Sequence, residues 1–141
     1  MREIKFRAWD EEFEEMFYSD KRDDVHFFEF NSKGKLRGYA IRGPKSGDDP
    51  LEPPEPYCDD YPVQQFTGLL DKQGKEIYEG DKLFNPADSY PYYIIKWNEK
   101  ECWFELDENG EKLSKYQLSN YWTIIGNIYE NPELLESDEK C

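Results

Sequence analysis

The sequence is poor in the groups from which most active sites are built. It holds one histidine, His26, and three cysteines, Cys58, Cys102 and Cys141, with no C-x-x-C pair and no spacing suited to zinc. Reduced, unpaired thiols are the default for such a count, so neither a disulfide framework nor a metal or other cofactor is expected. Neither G-x-x-x-x-G-K-[ST] nor G-x-G-x-x-G occurs, which removes the usual glycine-loop nucleotide folds. Apolar runs are short. None approaches the ~18 residues of a membrane span, and the opening Met1-Arg2-Glu3-Ile4-Lys5 lacks the apolar stretch of a signal peptide, so a cytoplasmic protein is expected. Basic side chains are also scarce: 18 Lys plus Arg stand against 32 Asp plus Glu, a net charge of −14. Phosphate-backbone binding relies on Lys and Arg to release counterions, so direct grip on nucleic acid or an anionic membrane is excluded unless a local basic face exists. The acidic excess is spread along the chain, −6 over residues 1–63 and −8 over 64–141.

Aromatic residues are plentiful at 17%, and they cover large areas per side chain, so a chain with only 37% hydrophobic residues still closes a core. At 141 residues it buries roughly 70% of its unfolded surface. Ile4, Phe6 and Ala8 alternate with Lys5, Arg7 and Trp9, which predicts a strand with Ile4, Phe6 and Ala8 inward. Asp10-Glu11-Glu12-Phe13-Glu14-Glu15 then marks a hairpin turn before Met16-Phe17-Tyr18. Asn31-Ser32-Lys33-Gly34-Lys35, Asp71-Lys72-Gln73-Gly74-Lys75 and Asp107-Glu108-Asn109-Gly110-Glu111 share one form: Asp or Asn, two polar residues, Gly, then a charge. Each predicts a bulged hairpin in which the first side chain caps backbone amides and glycine takes positive φ. None has the ligand spacing of a calcium loop.

Five prolines between 50 and 62 predict an extended connector. The expected organisation is a β-hairpin layer over 1–43, a Pro/Gly/Asp-rich connector over 44–62, a small SH3-like or barrel-like β unit over 63–136, and a tail over 137–141. Asn131-Pro132-Glu133-Leu134-Leu135 offers an N-cap, a first-turn proline and a glutamate at the dipole's positive end, which predicts a short C-terminal helix. The fold class is mainly β.

Chemistry-bearing residues do not assemble into a catalytic set. His26 lies in the alternating run Val25-His26-Phe27 and reads as structural, since no nucleophile or orienting carboxylate is identified beside it. Cys102 adjoins Trp103 in a predicted strand, where a buried thiol is a poor nucleophile. The pairs Asp23-Asp24, Asp48-Asp49 and Asp59-Asp60 fall in loop-like stretches and point opposite ways on an extended chain, so they read as solvated charge rather than a metal site. The expectation is therefore a protein without enzymatic activity. Arg7, Trp9, Lys96 and Trp97 are the candidate ligand-binding residues, a cation-and-ring combination suited to a planar anion. Asp10, Glu11, Glu12, Glu14 and Glu15 are the candidate partner-binding residues.

Three blocks, residues 1–10, the stretch from Gln65-Phe66-Thr67-Gly68-Leu69 to Tyr78-Glu79-Gly80-Asp81, and Ile125-Gly126-Asn127-Ile128-Tyr129-Glu130-Asn131-Pro132-Glu133, resemble the YopX family of phage and prophage proteins. The resemblance implies a mostly β, homo-oligomeric accessory protein of the bacterial cytoplasm, and supplies no catalytic residues. This chain departs from the family pattern in its glutamate-rich first turn and its proline-rich connector. Three expectations follow: an acidic inhibitor of a host defence or nucleic-acid-handling protein; a sponge for a small nucleotide-like host signal; or a structural or assembly role in phage growth.

Overall fold

The computed structural model describes residues 3–42, 57–87, 92–106, 111–112 and 122–135. The fold is mainly β, with a curled, half-barrel sheet. The chain divides into two compact units, Lys5–Val63 and Met1–Ile4 with Gln64–Cys141.

In the first unit, β1 (Phe6–Asp10) and β2 (Glu15–Tyr18) form the expected acidic hairpin, pairing Asp10 with Glu15. Strands β3 (His26–Phe30), β4 (Leu36–Arg42) and β5 (Tyr57–Tyr61) form an antiparallel sheet in the order β3-β4-β5. β5 falls inside the stretch expected as connector. Its residues carry no proline, and they pair in register with Gly38–Arg42. The alternation expected of β1 fails: Arg7, Ala8 and Asp10 are all buried, and Ile4 is 67% exposed. Gly38 supplies the close approach that packs this unit, since a Cβ there would stand 3.1 Å from Phe28, 3.2 Å from Val63 and 3.3 Å from Ala8.

In the second unit, β6 (Val63–Leu70) pairs β7 (Glu76–Tyr78). Strands β8 (Asp81–Phe84), β9 (Tyr92–Asn98), β10 (Trp103–Leu106), β11 (Glu111–Lys112) and β12 (Thr123–Asn127) make a five-stranded sheet ordered β11-β10-β9-β8-β12. Ile77, Leu83, Tyr93, Ile95, Phe104, Leu106 and Trp122 form its core, with Tyr93 and Trp122 packed edge to face at 5.0 Å. The expected C-terminal helix is corrected: Pro132–Leu135 is a single 3₁₀ turn, and no α-helix occurs among the described residues. A cap and a first-turn proline start a turn, but four residues are too few to propagate an α-helix.

The glycine hairpins follow the sequence reading at two sites. Asn31 Oδ1 accepts hydrogen bonds from the amides of Lys33 and Lys35, Asp71 Oδ1 from those of Gln73 and Lys75, and Gly34 and Gly74 have φ of 77° and 81°. Asp71 does more than cap, because its Oδ2 also accepts from the Ile124 amide at 3.1 Å and pins the turn to β12. The third turn, at 107–110, lies outside the described residues. A second hairpin type was not anticipated. Asp10 and Asn98 each cap the amides two and three residues on, and the fifth residue of each loop, Glu14 or Cys102, takes φ of 52° or 56° without being glycine. Cys102 is accordingly an exposed turn residue, although its place beside Trp103 predicts a strand.

Gly80, between β7 and β8, has φ of 86°, and a Cβ there would stand 3.0 Å from the Tyr129 ring. At Gly34 the same backbone strain meets open space. Gly34→Ala is expected to cost about 1 kcal/mol and Gly80→Ala about 2 kcal/mol or more, measured from urea-unfolding midpoints. Equal losses would show that the Tyr129 contact adds nothing.

Candidate functional site

The first unit contains a buried charge network that the sequence gives no direct sign of. At its centre is Asp10, the last residue of β1, with no exposed surface. Arg42, the last residue of β4, reaches it through Nη2, which lies 2.7 Å from both carboxylate oxygens. The same nitrogen donates to the Tyr61 hydroxyl at 2.8 Å, from the end of β5. Arg42 Nε faces Glu12 at 3.1 Å and Asp59 at 3.4 Å, and the Phe13 ring covers the guanidinium at 4.3 Å. Only 4% of the Arg42 side chain is exposed.

His26 closes the other side. Its Nε2 is 2.8 Å from Asp10 Oδ2 and its Nδ1 is 2.7 Å from Asp23 Oδ2, with Phe17 stacked on the ring at 4.3 Å. Asp23 is fixed in turn, since its Oδ1 accepts from the amides of Val25 and His26. A neutral imidazole has one N–H, so two carboxylate acceptors call for the imidazolium. Burial alone would lower the His26 pKa, and the bonds to Asp10 and Asp23 reverse that and raise it above 6.5. Burial alone would likewise raise Asp10, yet hydrogen bonds from Arg42, His26, the Phe13 amide and Tyr61 hold it well below the ordinary carboxylate range. Burial would also lower Arg42, but its bonds to Asp10 and Tyr61 raise it.

The network leaves little for acid–base chemistry. Both nitrogens of His26 are occupied and 4% of its side chain is exposed, so it has no lone pair with which to take a substrate proton. What the network does is hold the acidic turn. Asp10 Oδ1 accepts from the amides of Glu12 and Phe13 at 3.0 and 3.2 Å, and Arg42 draws Glu12 down. Among the candidate partner-binding residues, Asp10 is thus corrected from a surface charge to a buried anchor, because its carboxylate is consumed by Arg42 and His26. Glu11, Glu12, Glu14 and Glu15 stay exposed, and Phe13 stands among them with 61% of its surface exposed.

The candidate ligand-binding residues divide between the units. Arg7 is buried and Trp9 half-buried on β1 of the first unit. Lys96 and Trp97 are exposed on β9 of the second, bordering a shallow depression of about 350 Å³ with Gly80, Ile128 and Tyr129. Trp97 packs edge to face on Phe104 at 4.9 Å, as a core-edge ring does. Among the described residues no group of three or more His, Cys, Asp or Glu is placed to hold a metal ion.

These features define a mainly β protein of two units, distinguished by a carboxylate–guanidinium–imidazole network buried beneath an acidic hairpin. The YopX protein family model matches residues 5–136, and the chain belongs to that family. Protein EF1440 from Enterococcus faecalis has a similar crystal structure, with a TM-score of 0.61 and 25% identity over 96% of this chain and 99% of that one. Protein yopX from Bacillus subtilis shares the fold at a TM-score of 0.50 and 21% identity, covering 96% of this chain and 97% of its own. No curated protein matches the chain.

The network makes stability depend on pH with a definite sign. The raised pKa of His26 gives stabilisation that is full below about 6.5, its unfolded value, and lost as pH rises through the folded value. The lowered pKa of Asp10 gives stabilisation present above 3.8 and lost as pH falls through its folded value. Urea midpoints should therefore fall as pH rises above about 6.5 in the wild type and stay flatter there in His26→Gln. A parallel pH profile in that variant would exclude the imidazolium. Arg42→Ala leaves Asp10 buried without its main partner and is expected to cost about 3–5 kcal/mol, read from the same midpoints.

Proposed function

We propose that the chain is a non-enzymatic phage accessory protein that binds a basic protein of the bacterial host through the acidic turn. The observation that carries this reading is the preorganised turn itself: four exposed glutamates and an exposed phenylalanine, held from below by Asp10 and Arg42. Preorganisation removes the ordering cost that a flexible acidic loop meets on binding. Negative potential raises the encounter rate with a basic surface, and Phe13 supplies apolar contact once the charges have met. The target is then a host protein with a basic face, such as one that handles nucleic acid.

The test compares the wild type with a Glu11/Glu14/Glu15→Gln variant in affinity capture from bacterial lysate, followed by native mass spectrometry. The substituted side chains are exposed and outside the buried network, so the variant keeps its fold. A basic protein captured by the wild type, lost from the variant, and released as salt rises is the expected result. Capture that is equal in both, or indifferent to salt, would remove the acidic turn from the function.

A further inference from the structure

A cleft of about 510 Å³ opens in the first unit around the segment joining β2 to β3. Aromatic side chains Tyr18 and Phe28 form part of its wall. Lys21 and Arg22 stand at its rim, both exposed. The Lys21 ammonium lies 4.7 Å from the centre of the Tyr18 ring, and Arg22 has no hydrogen-bond or ion-pair partner among the described residues. In a chain of net charge −14, Lys21 and Arg22 place two adjacent cations, neither of them ion-paired among the described residues, beside one cavity. Asp23 does not neutralise them, because its carboxylate is committed to His26 and to two backbone amides. Asp24 is the one remaining carboxylate of the rim, against two cations.

We propose that this cleft is a binding site for a small phosphorylated aromatic molecule, of which a 5′-mononucleotide is the simplest kind. Arg22 and Lys21 meet the phosphate with charge-assisted hydrogen bonds, Arg22 through a fork that matches phosphate oxygens. The ring lies along the aromatic wall, where stacking tolerates different bases. Asp24 accepts from an amino or hydroxyl group at the far end of the ligand. The chain's global negative charge opposes an anion only weakly at this range, since charges beyond about 10 Å are screened at physiological salt. The site lies apart from the acidic turn in sequence and shares no residue with it, so it stands whether or not that turn binds a protein.

The experiment titrates the full chain with AMP, adenosine and inorganic phosphate in turn, following backbone amide shifts by NMR and heats by calorimetry. AMP is expected to shift the amides of Tyr18, Arg22 and Phe28, with adenosine and phosphate each binding more weakly. Arg22→Ala should weaken AMP about tenfold, Lys21→Ala less, and Lys33→Ala, in the β3–β4 turn, not at all. Arg22→Lys, which keeps the charge and loses the fork, should fall between. The proposal is overturned if AMP produces neither shifts at these amides nor heat, if Arg22→Ala binds as the wild type does, or if phosphate alone binds as tightly as AMP.

Discussion

The N-terminal unit depends on one buried carboxylate. Asp10 ends β1, and its partners arrive from three other strands: His26 from β3, Arg42 from β4 and Tyr61 from β5. An isolated charge in that position would carry a desolvation cost of several kcal/mol. The cost is offset only when guanidinium, imidazolium and backbone amides are all in place, so each strand's position is conditional on the others. Apolar packing alone is modest here, with Ala8, Phe17 and Ala40 as the buried hydrophobic residues among those described in the unit. Directional bonds to Asp10 give the strands a single register, which a small, aromatic-lubricated core would specify less sharply.

The same carboxylate links the inside of the unit to its surface. One oxygen of Asp10 reaches inward to His26, and the other caps the amides of Glu12 and Phe13 in the turn above. The acidic turn is consequently part of the folded scaffold. That distinguishes it from the charge spread elsewhere along the chain, which serves solubility as readily as recognition.

Much of the β architecture was legible in the sequence, because hairpin chemistry is local. Asn31-Ser32-Lys33-Gly34 and Asp71-Lys72-Gln73-Gly74 announce their turns through a capping side chain and a glycine, and both form as read. Where the glycine is missing, as at Glu14 and Cys102, no local signal marks the equivalent positive φ, so the residues around Cys102 read as a strand. β5 was hidden by the prolines before it, although Tyr57–Tyr61 contains none. The network was the least legible feature. Asp10, His26, Arg42 and Tyr61 are far apart along the chain, and each looked ordinary in its own context: an acidic turn, an alternating strand, a strand end, a connector. The pairing of β4 with both β3 and β5 gathers His26, Arg42 and Tyr61, and the contacts of β1 with β4 and β5 add Asp10. The one clue available was that Asp10 precedes its turn in the capping position that Asp71 and Asn31 occupy in theirs.

His26 is the sole imidazole of the chain, and both of its nitrogens are engaged while Phe17 covers one face. Reagents that acylate or alkylate imidazole therefore find no target on the closed molecule, and react only in the fraction of time that the N-terminal unit is open. The rate of that single modification is a clock for local unfolding, and it reports on this unit alone.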